Sequence, residues 1–350
     1  MPSSPLTTCH VTVEPSHAVF TVQSGETILQ AGLRQNVQLP YGCQRGVCGV
    51  CKVQKTAGTV LHLEHSPGVL RPEEEAQGMV LTCCATVVDS DVVLQSRVTH
   101  GPTVSISRKF PVQVISFEKV SHDVAILQLR LSASDQLDYE AGQYVDVLLP
   151  NAVRRSYSMA RAPHIAPGLL EWHIRHFPAG HFSNHVFQNL RVGDVLRIEG
   201  PHGTFRLQQD SDKPIILLAS GTGLAPIGAL LEQLQHLGSR RDIALYWGGY
   251  RPSDFYRDAW IRAKQAEMPT LHYVPVVSNA RPEDGWTGRT GYVHQAVLDD
   301  FADLRGHQVY ACGAPVVVDA ARQSYAQRGL PAEEFFADAF VSQVDRKTEN

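Results

Sequence analysis

Cysteine spacing constrains this chain more than any other feature of its sequence. Cys43, Cys48 and Cys51 fall within nine residues, and the adjacent pair Cys83 and Cys84 begins 32 positions after Cys51. Four intervening residues, then two, then a long gap is the spacing with which thiolates hold a plant-type 2Fe-2S cluster. A structural zinc site usually pairs two C-x2-C arms, and only one such arm is present here. Gly42, Gly46 and Gly49 lack Cβ, so the backbone can wrap tightly and aim N–H groups at the sulfurs. On a strand, neighbouring side chains point to opposite faces, so only one of Cys83 and Cys84 can complete the set.

A cluster loop of this kind needs a folded frame, and the composition supplies one. The 350 residues are enough for two or three domains, and 43% hydrophobic residues give each a core. Lys and Arg number 31 against 35 Asp and Glu, leaving no positive excess to neutralise phosphates, so nucleic acid is excluded as a partner. The uncharged run over 214–231 has membrane-span length, yet Gly221, Gly223 and Pro226 divide it into a buried strand, a glycine turn and a helix. No membrane association is expected. The start of the chain has no basic segment followed by an apolar one, and a cytoplasmic protein is expected.

The texture of the chain changes twice. Residues 1–98 hold short β-runs, a helical patch at ETILQAGLRQN and the cysteine loop, which together read as a compact α+β unit. A linker rich in small polar residues follows over 99–108. Between 109 and 208, PVQVISFEKV, VAILQLRL, QYVDVLLP, LEWHIRHF and DVLRIEG are β-rich runs separated by turn signals, the pattern of an antiparallel barrel. From 209 to 350 strands alternate with helices, the sign of a parallel sheet in an α/β domain. The sixteen histidines show no H-E-x-x-H or similar grouping and read as surface or packing residues.

Several short motifs carry the chemistry. Arg155-Ser156-Tyr157-Ser158 is followed by Gly180-His181-Phe182-Ser183 and then by GDVLRIEGPHGTF. A planar Arg can neutralise a flavin phosphate, and a Tyr ring can pack on an isoalloxazine. Leu217-Leu218-Ala219-Ser220 leads into Gly221-Thr222-Gly223-Leu224-Ala225-Pro226, a strand, a glycine turn and a helix start whose N–H groups can face a pyrophosphate. Cys312-Gly313-Ala314-Pro315 follows the run QVYA, and Asp338-Ala339-Phe340 lies near the end.

In this order, YGCQRGVCGVCKV, LTCCA, R-S-Y-S, G-T-G-L-A-P, C-G-A-P and D-A-F resemble oxygenase reductases of the ferredoxin-NAD(P) reductase superfamily. Reductase components of Rieske-type aromatic-ring oxygenases, such as terephthalate dioxygenase reductases, are similar over about 10–342. The segment WTGRTG at 286–291 and the ending FFADAFV also resemble CDP-6-deoxyglucoseen reductases.

The resemblance implies a β-grasp-like 2Fe-2S ferredoxin domain, an antiparallel barrel holding FAD, and an NAD(P) domain. It makes Cys83 the fourth ligand with Cys43, Cys48 and Cys51, and leaves Cys9 and Cys84 as small packing residues. It puts Arg155, Ser156, Tyr157, Ser158, His173, Arg175, Gly180, His181, Phe182 and Ser183 at the flavin. Gly221, Thr222, Gly223, Leu224, Pro226 and Gly313 would line the nicotinamide dinucleotide. Ser158, Cys312 and Phe340 would meet the reacting rings. Arg251 would stand at the adenosine ribose, where CDP-sugar relatives commonly show two arginines. One Arg favours NADH, with NADPH possible. The implied activity passes electrons from NAD(P)H through FAD and the cluster, singly, to a terminal oxygenase or another one-electron acceptor protein.

Overall fold

The computed structural model describes residues 9–88, 90–98, 107–151, 153–178 and 180–341. They form two compact units, one within the first 106 residues and the other Ser107–Phe340. Residues 99–106, most of the expected linker, lie outside the described residues.

The first unit runs β1 (Cys9–Glu14), β2 (Ala18–Val22), α1 (Ile28–Arg34), β3 (Lys52–Ala57), β4 (Val60–His62), α2 (Pro72–Ala76), β5 (Met79–Leu81), β6 (Ala85–Val87) and β7 (Val92–Gln95). Its main sheet has the order β2-β1-β7-β3-β5, with β1 and β7 parallel, and β4 pairs with β6 in a separate ribbon. Alternation in β1 buries Val11 and Val13 against Phe20, Ile28 and Leu94. Thr27 caps α1 reciprocally with Gln30, each side chain accepting from the other's backbone N–H. The long stretch between α1 and β3 is thus anchored at both ends. It carries the cysteine loop.

The second unit opens with β8 (Arg108–Lys119), β9 (Val124–Leu131), β10 (Tyr144–Leu148), β11 (Arg154–Ser158), β12 (Leu169–Arg175), α3 (His181–Gln188) and β13 (Val195–His202). These strands form an antiparallel sheet of order β11-β10-β13-β8-β9-β12. Its edge strands approach each other, and Tyr157 of β11 stacks on Trp172 of β12 with ring centroids 5.5 Å apart. The sheet is barrel-like.

The chain continues through β14 (Ile215–Ser220), α4 (Leu224–His236), β15 (Ile243–Gly249), α5 (Asp258–Glu267), β16 (Leu271–Val277), β17 (Arg289–Thr290), α6 (Val293–Asp300), β18 (Gln308–Gly313), α7 (Pro315–Gln327) and β19 (Phe335–Ala339). All six strands are parallel, in the order β17-β16-β15-β14-β18-β19. The chain builds outward from β14 through β15, then returns to β18 on its other flank. The crevice at the carboxyl ends of β14 and β18 is therefore the switch point at which such sheets bind ligands. The uncharged run over 214–231 is β14, a 3-10 turn and most of α4, as expected. Among the described residues, no helix is long and apolar enough to cross a membrane.

Candidate functional site

In the first unit the loop between α1 and β3 folds its cysteines inward. Cys48 and Cys51 are buried and Cys43 is half-buried. The N–H of Cys43 points to Cys48 Sγ at 3.4 Å, and that of Arg45 to Cys43 Sγ at 3.4 Å. Cys51 Sγ lies 3.2 Å from Cys83 Sγ. Convergent thiols ringed by backbone N–H groups suit an iron-sulfur cluster. Gly46, at φ +68°, allows the turn, and a Cβ there would lie 2.6 Å from Cys84 Sγ.

Residues 82–84 form a tight turn between β5 and β6, not a strand, so alternation does not separate the two cysteines. The two sulfurs lie 3.5 Å apart. Proximity to Cys51 distinguishes Cys83, whereas the Cys84 thiol packs against Gly46.

In the second unit the motifs meet at the switch point. Gly223 passes so close to β18 that a Cβ would stand 2.2 Å from Cys312 O, and one on Gly313, at φ +134°, would lie 2.5 Å from Ser220 O. Any side chain at either position would push the two turns apart. Cys312 is fully buried and pairs in register with Asp338 of β19. Asp338 accepts a hydrogen bond from Ser158 Oγ at 2.9 Å, across 180 residues of sequence. The N–H of Phe340 donates to Gly313 O at 2.7 Å. Ser158, Cys312 and Phe340 are thus drawn together by β11, β18 and the end of β19.

The neighbouring residues follow from the same framework. Tyr157 stands between Trp172 and Phe182, and burial pushes its phenol pKa up. Arg155 donates to Arg154 O at 2.7 Å, while Ser156 is exposed and donates to Asp146. Ser183 Oγ accepts from the N–H of Phe177, which fixes Gly180 and His181 at the start of α3. Arg175, paired with Asp123 at 3.0 Å, lays its guanidinium over Gly221, whose φ is +54°. Thr222 is buried in the glycine turn, and Leu224 and Pro226 are buried at the start of α4. This cradle of glycine backbone, helix start and arginine has the chemistry to hold a dinucleotide phosphate.

Two residues stand in environments that sequence did not reveal. His173 is buried, with Nδ1 2.9 Å from Tyr256 Oη and Nε2 3.3 Å from Glu171 Oε1. Burial lowers its pKa against the pull of Glu171. Arg251 donates to Asn279 O at 2.9 Å and to Asp284 Oδ2 at 2.8 Å. Glu171, Tyr256, Arg257 and Asp284 have no motif around them, and each is recognised only by its distant partner.

Burial opposes ionisation of Glu171, yet hydrogen bonds from His173 and Gln128 and the charge of Arg257 outweigh it, holding the carboxyl down to about 2. A carboxyl depressed from its ordinary 4.5 adds stability above that pH and loses it as pH falls toward about 2. Replacing Glu171 with Gln is expected to cost about 1–3 kcal/mol at neutral pH, by leaving buried donors unpaired. The variant should also show a flatter fall in Tm with acid than the parent. Parallel melting curves for the two proteins check this.

Comparison with known proteins finds three domains along the chain. Residues 11–88 match the 2Fe-2S iron-sulfur cluster binding domain, 111–207 the oxidoreductase FAD-binding domain and 217–323 the oxidoreductase NAD-binding domain. The chain is 41% identical to the CDP-6-deoxy-L-threo-D-glycero-4-hexulose-3-dehydrase reductase of Yersinia pseudotuberculosis, over 95% of its own length and 98% of that protein. The chain belongs to the ferredoxin reductase family. Its members include the terephthalate 1,2-dioxygenase reductase component 1 of Comamonas sp, 33% identical over 94% of this chain and 96% of that one. The solved ferredoxin reductase in carbazole 1,9a-dioxygenase superposes with a TM-score of 0.67 at 26% identity, covering 97% of this chain and all of that one. Within this family the chain is an oxidoreductase with domains for a 2Fe-2S cluster, FAD and NAD.

Proposed function

We propose that this reductase takes electrons from NADH and delivers them one at a time, through its N-terminal domain, to a separate acceptor protein, the terminal component of a Rieske-type oxygenase. The observation that carries the reading is the junction of Ser158, Asp338 and Cys312, which joins the barrel's flavin motif to the nicotinamide side of the sheet. When bound, FAD supplies the change from a transferred hydride to single electrons, and the cluster relays them.

The chain's own residues prepare that transfer. Arg155 and the start of α3 would neutralise flavin phosphate, and Tyr157, stacked on Trp172, would pack against the flavin ring. Ser158 commits its proton to Asp338, so toward a bound flavin its oxygen would act as an acceptor. Gly221, Gly223 and Gly313 let the two turns and Arg175 close on one another to shape the proposed dinucleotide site, and buried Cys312 would stand beside the nicotinamide. Phe340 would approach the flavin ring, and the Glu171–His173–Tyr256 network ties β12 to the segment that follows β15. Cys43, Cys48, Cys51 and Cys83 hold the cluster. The proposed domains are 1–98, 109–208 and 209–350, with 99–108 as the linker between the first two, although Arg108 already opens β8. Seven free cysteines suit the reducing cytoplasm.

A second reading replaces the oxygenase with a sugar dehydrase, and the 41% identity to the hexulose dehydrase reductase favours it. Mixing the purified chain with each class of partner and following NADH-driven partner reduction decides between them. The flavin assignment has its own test. Arg155→Ala and Tyr157→Ala are expected to weaken flavin binding, the first by about 1.5–3 kcal/mol for a lost charged hydrogen bond. Iron content should be unchanged. Flavin released per protein on denaturation is the measurement, and full occupancy in both variants would refute the assignment.

A further inference from the structure

Charge at the edge of the parallel sheet is closely balanced. The segments after β15 and β16 carry Arg251, Arg257 and Arg281, and each has a carboxylate partner: Asp284 at 2.8 Å, Glu171 at 2.7 Å and Glu283 at 3.7 Å. Arg289 of β17 is held by Asp299 at 3.0 Å and Asp300 at 2.6 Å. The Arg251–Asp284 pair is largely enclosed, with each side chain 19% exposed.

Its position matters. Arg251 lies just beyond β15, the strand beside β14, whose end forms the glycine turn. In dinucleotide-binding sheets this place meets the adenosine ribose: an acidic side chain there accepts from the 2′-hydroxyl, and an Arg accommodates a 2′-phosphate. Here an Arg occupies the place and an Asp neutralises it. A 2′-phosphate that engaged Arg251 would stand close to the Asp284 carboxylate and share one guanidinium with a second, partly buried anion.

We propose that Asp284 sets the nucleotide preference, cancelling the charge of Arg251 so that the site selects a dinucleotide with a free ribose 2′-hydroxyl over its 2′-phosphorylated counterpart. This rests on the reading of Arg251 as the ribose-side residue. Asp284 Oδ2 also accepts from the N–H of Arg281 at 2.8 Å and so caps the turn Pro282–Asp284. Asparagine keeps an oxygen for that cap and removes only the charge.

The experiment measures equilibrium dissociation constants of NAD+ and NADP+ for the full-length holoprotein, with flavin and iron content as the check on folding. In the parent, NAD+ should bind at least about tenfold more tightly, and added salt should narrow the gap by screening the Asp284 charge. In Asp284→Asn, NADP+ binding should tighten at least about tenfold while NAD+ changes by less than about threefold, the scale of one charge-assisted contact. The double variant Asp284→Asn with Arg251→Met should lose that gain. Preference for NADP+ in the parent, or unchanged NADP+ affinity in folded Asp284→Asn, overturns the proposal. Because the parent measurement needs no variant, misfolding of Asp284→Asn leaves it testable. A gain that persists in the double variant overturns the role of Arg251, and failure of the parent to saturate with either nucleotide overturns the underlying site reading.

Discussion

Cys83→Ser is expected to lose its iron and acid-labile sulfide, while Cys84→Ser keeps both. The two residues share one turn and their sulfurs lie 3.5 Å apart, so neither sequence alternation nor burial separates them. Only Cys83 reaches the sulfur of Cys51, at 3.2 Å. Cys84 instead fills the space that Gly46 leaves open, and serine fits that space with little change in volume. Oxygen is a poorer ligand than thiolate for iron in such clusters, so the loss in Cys83→Ser should be large. NADH-driven reduction of cytochrome c should fall at least about tenfold, or about 1.4 kcal/mol in barrier, while ferricyanide reduction continues. Metal and sulfide analysis of both purified variants checks the result. Loss of iron from the Cys84 variant alone would reverse the assignment.

Removal of residues 1–98 is expected to separate the two halves of the activity. The unit Ser107–Phe340 contains its own core, from Phe110 and Trp172 in the barrel to Leu217 and Trp247 in the parallel sheet. It also contains every residue proposed to touch FAD and NADH. The truncated chain should therefore bind flavin and reduce ferricyanide with NADH at a rate within about threefold of the parent, a barrier difference under about 1 kcal/mol. Reduction of cytochrome c or of a purified terminal oxygenase should collapse, because single-electron exit requires the cluster domain. Full-rate oxygenase reduction by the truncated chain would mean that electrons leave directly from the flavin.

The glycine turn after β14, the C-G-A-P turn after β18 and the cysteine loop are legible because each is local. Backbone reach and the absence of Cβ dictate which residues can stand within a few positions of one another. The same holds for the strand and helix runs, whose periodicity reports which face meets a core. D-A-F was recognisable as a motif, yet nothing near it indicates that Asp338 receives the Ser158 hydroxyl 180 positions away. Likewise His173 reads as one histidine on a strand until Tyr256, 83 residues later, meets its ring. The sequence by itself determined the three modules, their order and the local turns within each. Tertiary structure alone decided which of two adjacent cysteines reaches Cys51, and that Arg251 is already paired with Asp284. The reason is physical: a side chain's charge and hydrogen-bonding capacity are set by what the fold brings within about 3 Å, and neighbours along the chain do not specify that.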